Sequence, residues 1–499
     1  MSGGWPVAAI LLVVVLTGVL GTFGVRVSRT TSDFLVASRS VTPFVNASAI
    51  GGEYLSAASF LGIAGLVLSY GVDMLWFPVG YTVGYLVLLV LVAAPLRRSG
   101  AYTLPDFAEM RFASPRLRLV SSVLVVLIGW LYLLPQIQGA GITLHALTGA
   151  NEWVGALLVA VVVGITVASG GMRSITVVQA FQYWLKLAAI ALPAVLLVAA
   201  WYHDGAPLFA NGDWGTPLSG YGGRDYPVYK TYSIVLATFL GTMGLPHVLV
   251  RFYTNPDGAA ARRTTLSVLG LLSLFYLFPP VFGALGRVYA PDLATPGVSD
   301  TVVLLLPGRV FHGWLGEALS ALVAAGAFAA FLSTASGLSV SVAGVLSQDL
   351  LGRGRELGDG VRRFRIGAVI AVLVPFVLAL SAGRLDLAQT VTLAFAVAAS
   401  TFCPLLVLGI WWPRLSTSGA MAALLVGGVT ALVAVSLVLA LGPFDGFVGA
   451  LLDQPAAWTV PLAFVTAVVV SVLTRDRDPS AAAAAMVRLH APEELDLRR

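Results

Sequence analysis

Three short segments of the 499-residue chain carry residue types that could hold an ion and a small solute together. The first runs from Asn46 to Phe60, where Gly51 and Gly52 stand beside the carboxylate of Glu53, and Tyr54 and Ser56 follow. The second, Thr238 to His247, gathers Gly241, Thr242, Gly244 and Pro246. In a helix a glycine costs about 1 kcal/mol and a proline about 3 relative to alanine, so both stretches are expected to be broken, at Gly51–Glu53 and at Gly241–Pro246. Freed carbonyls there can hold a cation, and the N-termini of the half-helices can face an anionic group. The third segment is Ala329-Ala330-Phe331-Leu332-Ser333-Thr334-Ala335-Ser336. A small hard cation such as Na⁺ wants oxygen ligands. The hydroxyls of Ser333 and Thr334 with the Ala330 carbonyl offer three, and unwound carbonyls of the first segment could complete the shell.

Other polar residues are weighed against this set. Lys186 lies about 18 Å inside an apolar run at 1.5 Å per residue, where a charge is a functional hypothesis by default. It is a candidate for coupling, offsetting either a carboxylate solute or Glu53. Gln136 is a candidate on the solute side. His247 reads as structural, Asp349 as a charge partner of the Arg353–Arg365 loop, and the remaining histidines show no metal-ligand spacing. Cys403 is the only cysteine, so no internal disulfide can form.

These residues must be positioned by a membrane. The chain is 58% hydrophobic and 11% charged, with mean hydropathy +0.90; soluble domains are roughly 45–50% apolar and about 25% charged. Thirteen apolar runs approach the roughly 20 residues a spanning helix needs: 5–25, 44–68, 74–95, 119–147, 152–169, 175–201, 231–251, 264–288, 313–347, 366–382, 387–411, 418–441 and 457–474. Alternating strands of an outer-membrane barrel would not read this way. The expected fold is all-α, a polytopic membrane protein forming one transmembrane domain over 1–474 with a short tail, 475–499.

Basic residues orient it. With the N-terminus outside, 23 Lys and Arg fall in alternate, inner loops and the tail, including Arg26, Arg29 and Arg39, the Arg97–Arg118 group, Arg173, Arg251 and Arg475–Arg499. Five fall outside (Arg224, Lys230, Arg287, Arg309 and Arg384), and Lys186 completes the 29. The pI near 9.4 therefore reflects membrane topology and not nucleic-acid binding. The first span, with no basic residue before it, reads as an anchor and not a cleaved signal. Taking spans two to six (about 44–201) and seven to eleven (about 231–411) as blocks places one broken helix first in each. The second block starts from the opposite side, the pattern of an inverted repeat.

The chain resembles the sodium:solute symporter family, and within it the cation/acetate and monocarboxylate symporters. The resemblance is carried by Asp33–Arg39, Gly52-Glu-Tyr-Leu-Ser-Ala-Ala-Ser-Phe-Leu-Gly62, Arg97–Asp106, Gly170-Gly-Met-Arg173 and, most specifically, Gly241-Thr-Met-Gly-Leu-Pro-His-Val-Leu-Val-Arg-Phe-Tyr-Thr254. It implies a leucine-transporter-like five-plus-five inverted repeat and uptake of a solute with Na⁺. By position it puts sodium-site carbonyls at Ala47 and Ile50, and further ligands at Ala330, Ser333 and Thr334. Gln179 stands where sugar-type members carry an aspartate, which argues against sugar as solute.

The expected function is symport of acetate or a similar short monocarboxylate with Na⁺ across the plasma membrane, with no organic cofactor and no catalytic residue. Gly51, Gly52, Glu53, Tyr54, Ser56, Gln136, Gly241, Thr242 and Gly244 are the expected solute-side residues. Partners are the two transported species and the bilayer; neither nucleic acid nor an obligate protein partner is expected. Alternatives are proton coupling, or another solute such as proline, pantothenate or a different organic acid. A membrane-embedded hydrolase would need more acidic residues or histidines at mid-depth than Glu53 alone.

Overall fold

The computed structural model describes residues 4–23, 42–209, 213–295, 297–352, 360–381, 386–442, 444–474 and 479–491, with the backbone alone at 170–174 and 479–482. Among the described residues every regular element is helical. Several expectations fall outside them: the Asp33–Arg39 motif, Arg26, Arg29, Arg353, Arg355, Arg384, and Arg475, Arg477, Arg498 and Arg499 of the tail.

In chain order the helices are α1 (Gly4–Phe23), α2 (Pro43–Tyr54), α3 (Ile63–Tyr70), α4 (Trp76–Val87), α5 (Ala93–Arg98), α6 (Leu104–Phe112), α7 (Pro115–Thr148) and α8 (Glu152–His203). Then come α9 (Pro227–Gly244), α10 (Pro246–Val250), α11 (Gly258–Phe275), α12 (Pro279–Tyr289), α13 (Val302–Val310), α14 (Gly313–Val345) and α15 (Gly360–Ser381). The last are α16 (Leu387–Trp411), α17 (Thr417–Leu441), α18 (Gly446–Asp453), α19 (Ala456–Leu473) and α20 (Pro479–His490). Local sequence sets their ends. Thr103 and Asp106 form a reciprocal capping box at the start of α6. The side chains of Ser114, Asp257 and Ser416 cap α7, α11 and α17.

Twelve helices are long and apolar enough to cross a membrane, counted over the described residues by length and composition. One of the twelve, Ala58–Arg98, has 41 residues, about twice the length of one crossing. It folds back: Gly71 takes φ +80 ahead of a 3₁₀ turn, and both Asn46 and Arg97 hydrogen-bond to Asn255. Separated into its two passes, it brings the crossings to thirteen. The two halves of α8, Glu152–Ser169 and Ile175–His203, are likewise separate crossings. Gln182 bonds Thr17 on α1, while a Cβ on Gly21, one turn along α1, would meet Thr166, so the chain reverses between positions 166 and 182.

The interior is built on α14, α16 and α9, whose apolar windows are 89%, 89% and 78% buried. α2 packs on α8 and α14; α9 packs on α4 and α16. Close approach depends on glycine. A Cβ on Gly52 would overlap the Gln179 carbonyl of α8, and one on Gly244 would overlap the Ala398 carbonyl of α16. Cys403 is buried within α16.

Asp349, expected to be a charge partner of the Arg353–Arg365 loop, pairs among the described residues with Arg118 at 2.7 Å and Ser122 at 2.6 Å, because α7 runs alongside the end of α14. The described part of the tail is helical: α20 lies against α5 and α6, its His490 carbonyl accepting from Arg98 and its imidazole edge meeting Trp411.

At the opposite face two acids are packed together. Asp300 accepts from Leu387 N at 2.9 Å, and Asp386 accepts from Gly297 N at 3.2 Å. Burial, with Asp386 adding repulsion, pushes the Asp300 carboxyl up to about 7. The folded state thus holds this proton more tightly than the unfolded chain, whose aspartates titrate near 4. The sign follows: stability from this group is full at low pH and is lost as pH climbs from about 4 to about 7. Thermal unfolding across that range is expected to show a falling midpoint in the wild type and a flatter profile in Asp300→Asn; parallel profiles would refute the assignment.

Candidate functional site

The first break lies one turn later than the glycine pair suggests. Gly51, Gly52 and Glu53 stay within α2, and the backbone departs at Leu55, with ψ 86. Two successive glycines weaken a helix but leave its N–H groups in place, so packing on α8 keeps them helical. The helix end leaves the carbonyls from Gly52 onward without helical partners, and those of Gly52, Glu53 and Leu55 are met by side chains. Side chains from three helices supply these partners and one for the Ala57 amide. Lys186 Nζ of α8 donates to Gly52 O and, at 2.8 Å, to Leu55 O. Thr334 Oγ1 of α14 donates to Glu53 O at 2.5 Å, and Gln136 Oε1 of α7 accepts from Ala57 N at 2.8 Å. Lys186 also donates to Ser333 Oγ at 3.0 Å. Ser333 Oγ in turn donates to Ala330 O at 3.1 Å, and Ser333 O accepts from Gln179 Nε2 at 2.7 Å.

The Glu53 side chain has a separate partner. Its Oε2 takes Arg251 Nε at 2.6 Å, and both side chains are buried. Arg251 donates further to Thr176 Oγ1 at 2.7 Å and to Gln179 Oε1. Arg251, expected in a loop, thus sits inside the protein, in the 3₁₀ turn that follows α10.

The second break, expected over Gly241–Pro246, is confined to Leu245, extended at ψ 117 between α9, which keeps Gly241–Gly244 helical, and α10, where Pro246 supplies no N–H. A side-chain contact joins the two broken helices near their breaks: Tyr54 OH lies 2.9 Å from Thr242 Oγ1. Around this contact Tyr54 packs edge-on to Tyr81 and Tyr85, at 6.0 and 4.8 Å between centroids. Phe395 closes on Tyr81 at 5.0 Å, and Tyr132 stands between Phe395 and His247. Tyr276 stacks on Tyr81 and bonds Ser59. Among the described residues, Tyr85 OH and both ring nitrogens of His247 are buried without a hydrogen-bond partner, while the buried hydroxyls of Ser56 and Tyr81 stand against Tyr132 and Thr392. Buried polar atoms are rarely left so, and several together in one aromatic enclosure are what a small polar solute would satisfy.

Of the residues singled out from sequence, the structure brings Gly52, Glu53, Tyr54, Gln136, Lys186, Thr242, Ala330, Ser333 and Thr334 into this bonded cluster, with Ser56 at the break itself. Gly51 abuts the Tyr183 ring, and Gly241 and Gly244 serve packing against α16. Ala47 and Ile50, expected to offer free carbonyls, lie inside α2 before the break. Sequence reasoning missed Arg251, Tyr81, Tyr85, Tyr132, Tyr276 and Phe395. Tyr81 and Tyr85, four apart, share one face of a mid-membrane helix, which was the available signal.

The family model described as the sodium:solute symporter family matches residues 34–427. An uncharacterized symporter, YwcA, of Bacillus subtilis is 33% identical over 486 residues, covering 94% of each chain. A monocarboxylic acid transporter of Corynebacterium glutamicum is 32% identical, covering 93% of this chain and 90% of that protein. Among solved structures, the substrate-bound outward-open state of a Na⁺-coupled sialic acid symporter superposes with TM-score 0.68 at 14% identity, over 95% of this chain and 98% of that one. Mhp1, a nucleobase-cation-symport-1 family transporter in a closed conformation, gives 0.58 at 16% identity, over 92% and 99%. The likeness to these two shows the fold, the leucine-transporter-like five-plus-five arrangement.

Proposed function

Because the chain belongs to the sodium:solute symporter family, we propose that this multi-pass membrane transporter takes up acetate or a similar short monocarboxylate together with a cation. The observation that carries the solute half is the aromatic enclosure at the joined breaks, with its buried hydroxyls of Ser56, Tyr81 and Tyr85 and the unpartnered ring nitrogens of His247. Hydroxyls donate to a carboxylate, and the enclosing rings suit a short alkyl end. The monocarboxylic acid transporter among its relatives supports the same class. On this reading the N-terminus is outside, the tail is cytoplasmic, and blocks of about 44–201 and 231–411 are the repeats that rock around the site.

The Ala330, Ser333 and Thr334 set leads one to expect sodium from sequence, but the ammonium of Lys186 standing among those oxygens favours a proton as the ion that enters with the carboxylate, with sodium as the second reading. Counterflow of labelled acetate in proteoliposomes tests the carrier. Acids of two to four carbons are expected to compete strongly and proline and pantothenate weakly; stronger competition by proline would overturn the monocarboxylate assignment.

A further inference from the structure

The oxygens that a sodium ion would need at the first break are already engaged by a side chain of the protein itself. Lys186 is fully buried, and its ammonium has three N–H donors. They meet three acceptors: Gly52 O, Leu55 O at 2.8 Å and Ser333 Oγ at 3.0 Å. The neighbouring hydroxyl protons are used as well, Ser333's on Ala330 O and Thr334's on Glu53 O. A metal ion drawing on the lone pairs of Ser333 and of the break carbonyls would lie in contact with that ammonium.

Charge leads to the same conclusion. The cluster holds one carboxylate, Glu53, and it is bonded to Arg251. With Lys186 protonated, the form its three acceptors fit, the buried group is two cations to one anion, so a metal would add a further positive charge with no anion to offset it. The carbonyls at Ala47 and Ile50, which would have belonged to the metal, lie within α2. An isolated buried ammonium is costly, but this one is fully hydrogen-bonded by backbone and hydroxyl oxygen.

We infer that Lys186 is the resident cation of this site: its tethered ammonium takes the place of a sodium ion and holds the α2 break to α8 and α14, so the site takes up no sodium. The inference rests on the carrier reading for its transport consequence and on geometry alone for its binding consequence. It makes Lys186 a determinant of which ion the carrier uses.

The test uses the full-length protein in two assays. In proteoliposomes, wild-type counterflow of labelled acetate is expected to run at the same rate in sodium and in choline. In detergent, sodium is expected to leave the wild-type unfolding midpoint unchanged relative to choline, whereas Lys186→Ala, which vacates the carbonyls and Ser333, gains a sodium-dependent rise through ligand linkage. Wild-type counterflow that collapses in choline, or a wild-type midpoint raised by sodium, would overturn the inference, and both are read whether or not the variant folds. A folded Lys186→Ala protein with no sodium response would also overturn it. If labelled acetate fails to exchange in either salt, the acetate carrier reading fails, and the unfolding comparison still decides whether Lys186 excludes sodium.

Discussion

Glu53→Gln is expected to destabilise the protein by about 3–5 kcal/mol, because it strips the counter-charge from a guanidinium that has no access to water. Arg251 is buried together with Glu53, with its Nε 2.6 Å from the carboxylate. Its other N–H groups go to Thr176 and Gln179, which are neutral and offset none of its charge. Arg251→Met is expected to cost a similar amount, by leaving Glu53 beside Lys186 without its main partner. The double variant Glu53→Gln with Arg251→Met removes both charges at once and should recover much of the loss, since a buried pair replaced as a unit is often near neutral. Thermal unfolding of the four proteins in detergent gives the cycle. Additive losses would show that the pair is not coupled and would remove the argument that Glu53 is fully committed.

Gly52→Ala is expected to abolish acetate counterflow and to cost at least the 1–3 kcal/mol typical of overpacking. The new methyl would overlap the Gln179 carbonyl oxygen, which is backbone and cannot rotate away. α2 and α8 would have to separate, and Lys186 reaches Gly52 O and Leu55 O across that contact. Gly164→Ala is the control: it also sits in a membrane-spanning helix, but its Cβ would meet nothing within 4 Å. Replacing glycine there should be neutral or slightly stabilising through helix propensity. If both variants unfold and transport alike, close helix approach at Gly52 is not what positions the site.

Much of this arrangement was legible in the sequence because the strongest signals were local. Spans follow from apolar run length, and Leu245–Pro246 marks a break through a missing N–H that no packing can restore. Gly51-Gly52 misled by one turn: glycine lowers helix propensity without removing a hydrogen bond, and contact with α8 decides where the helix ends. Lys186 could be flagged by its depth, but its partners are 131 to 147 residues away in sequence. Arg251 looked like one more basic residue near a span end, because nothing linear shows that the chain tucks the 3₁₀ turn Arg251–Thr254 inward. The aromatic enclosure was hidden for a related reason. Its rings come from several crossings, and in an apolar sequence each reads as lipid-facing or core until rotation about each helix axis is known.

The whole chain contains one thiol, Cys403, and α16 packs it fully out of solvent. A cysteine introduced at an exposed position would be the sole thiol open to aqueous reagents. The wild-type protein is thus a ready background for alkylation mapping, in which modification at Ser56 or along α10 reports when each crossing is wetted, with no native residue to strip out first.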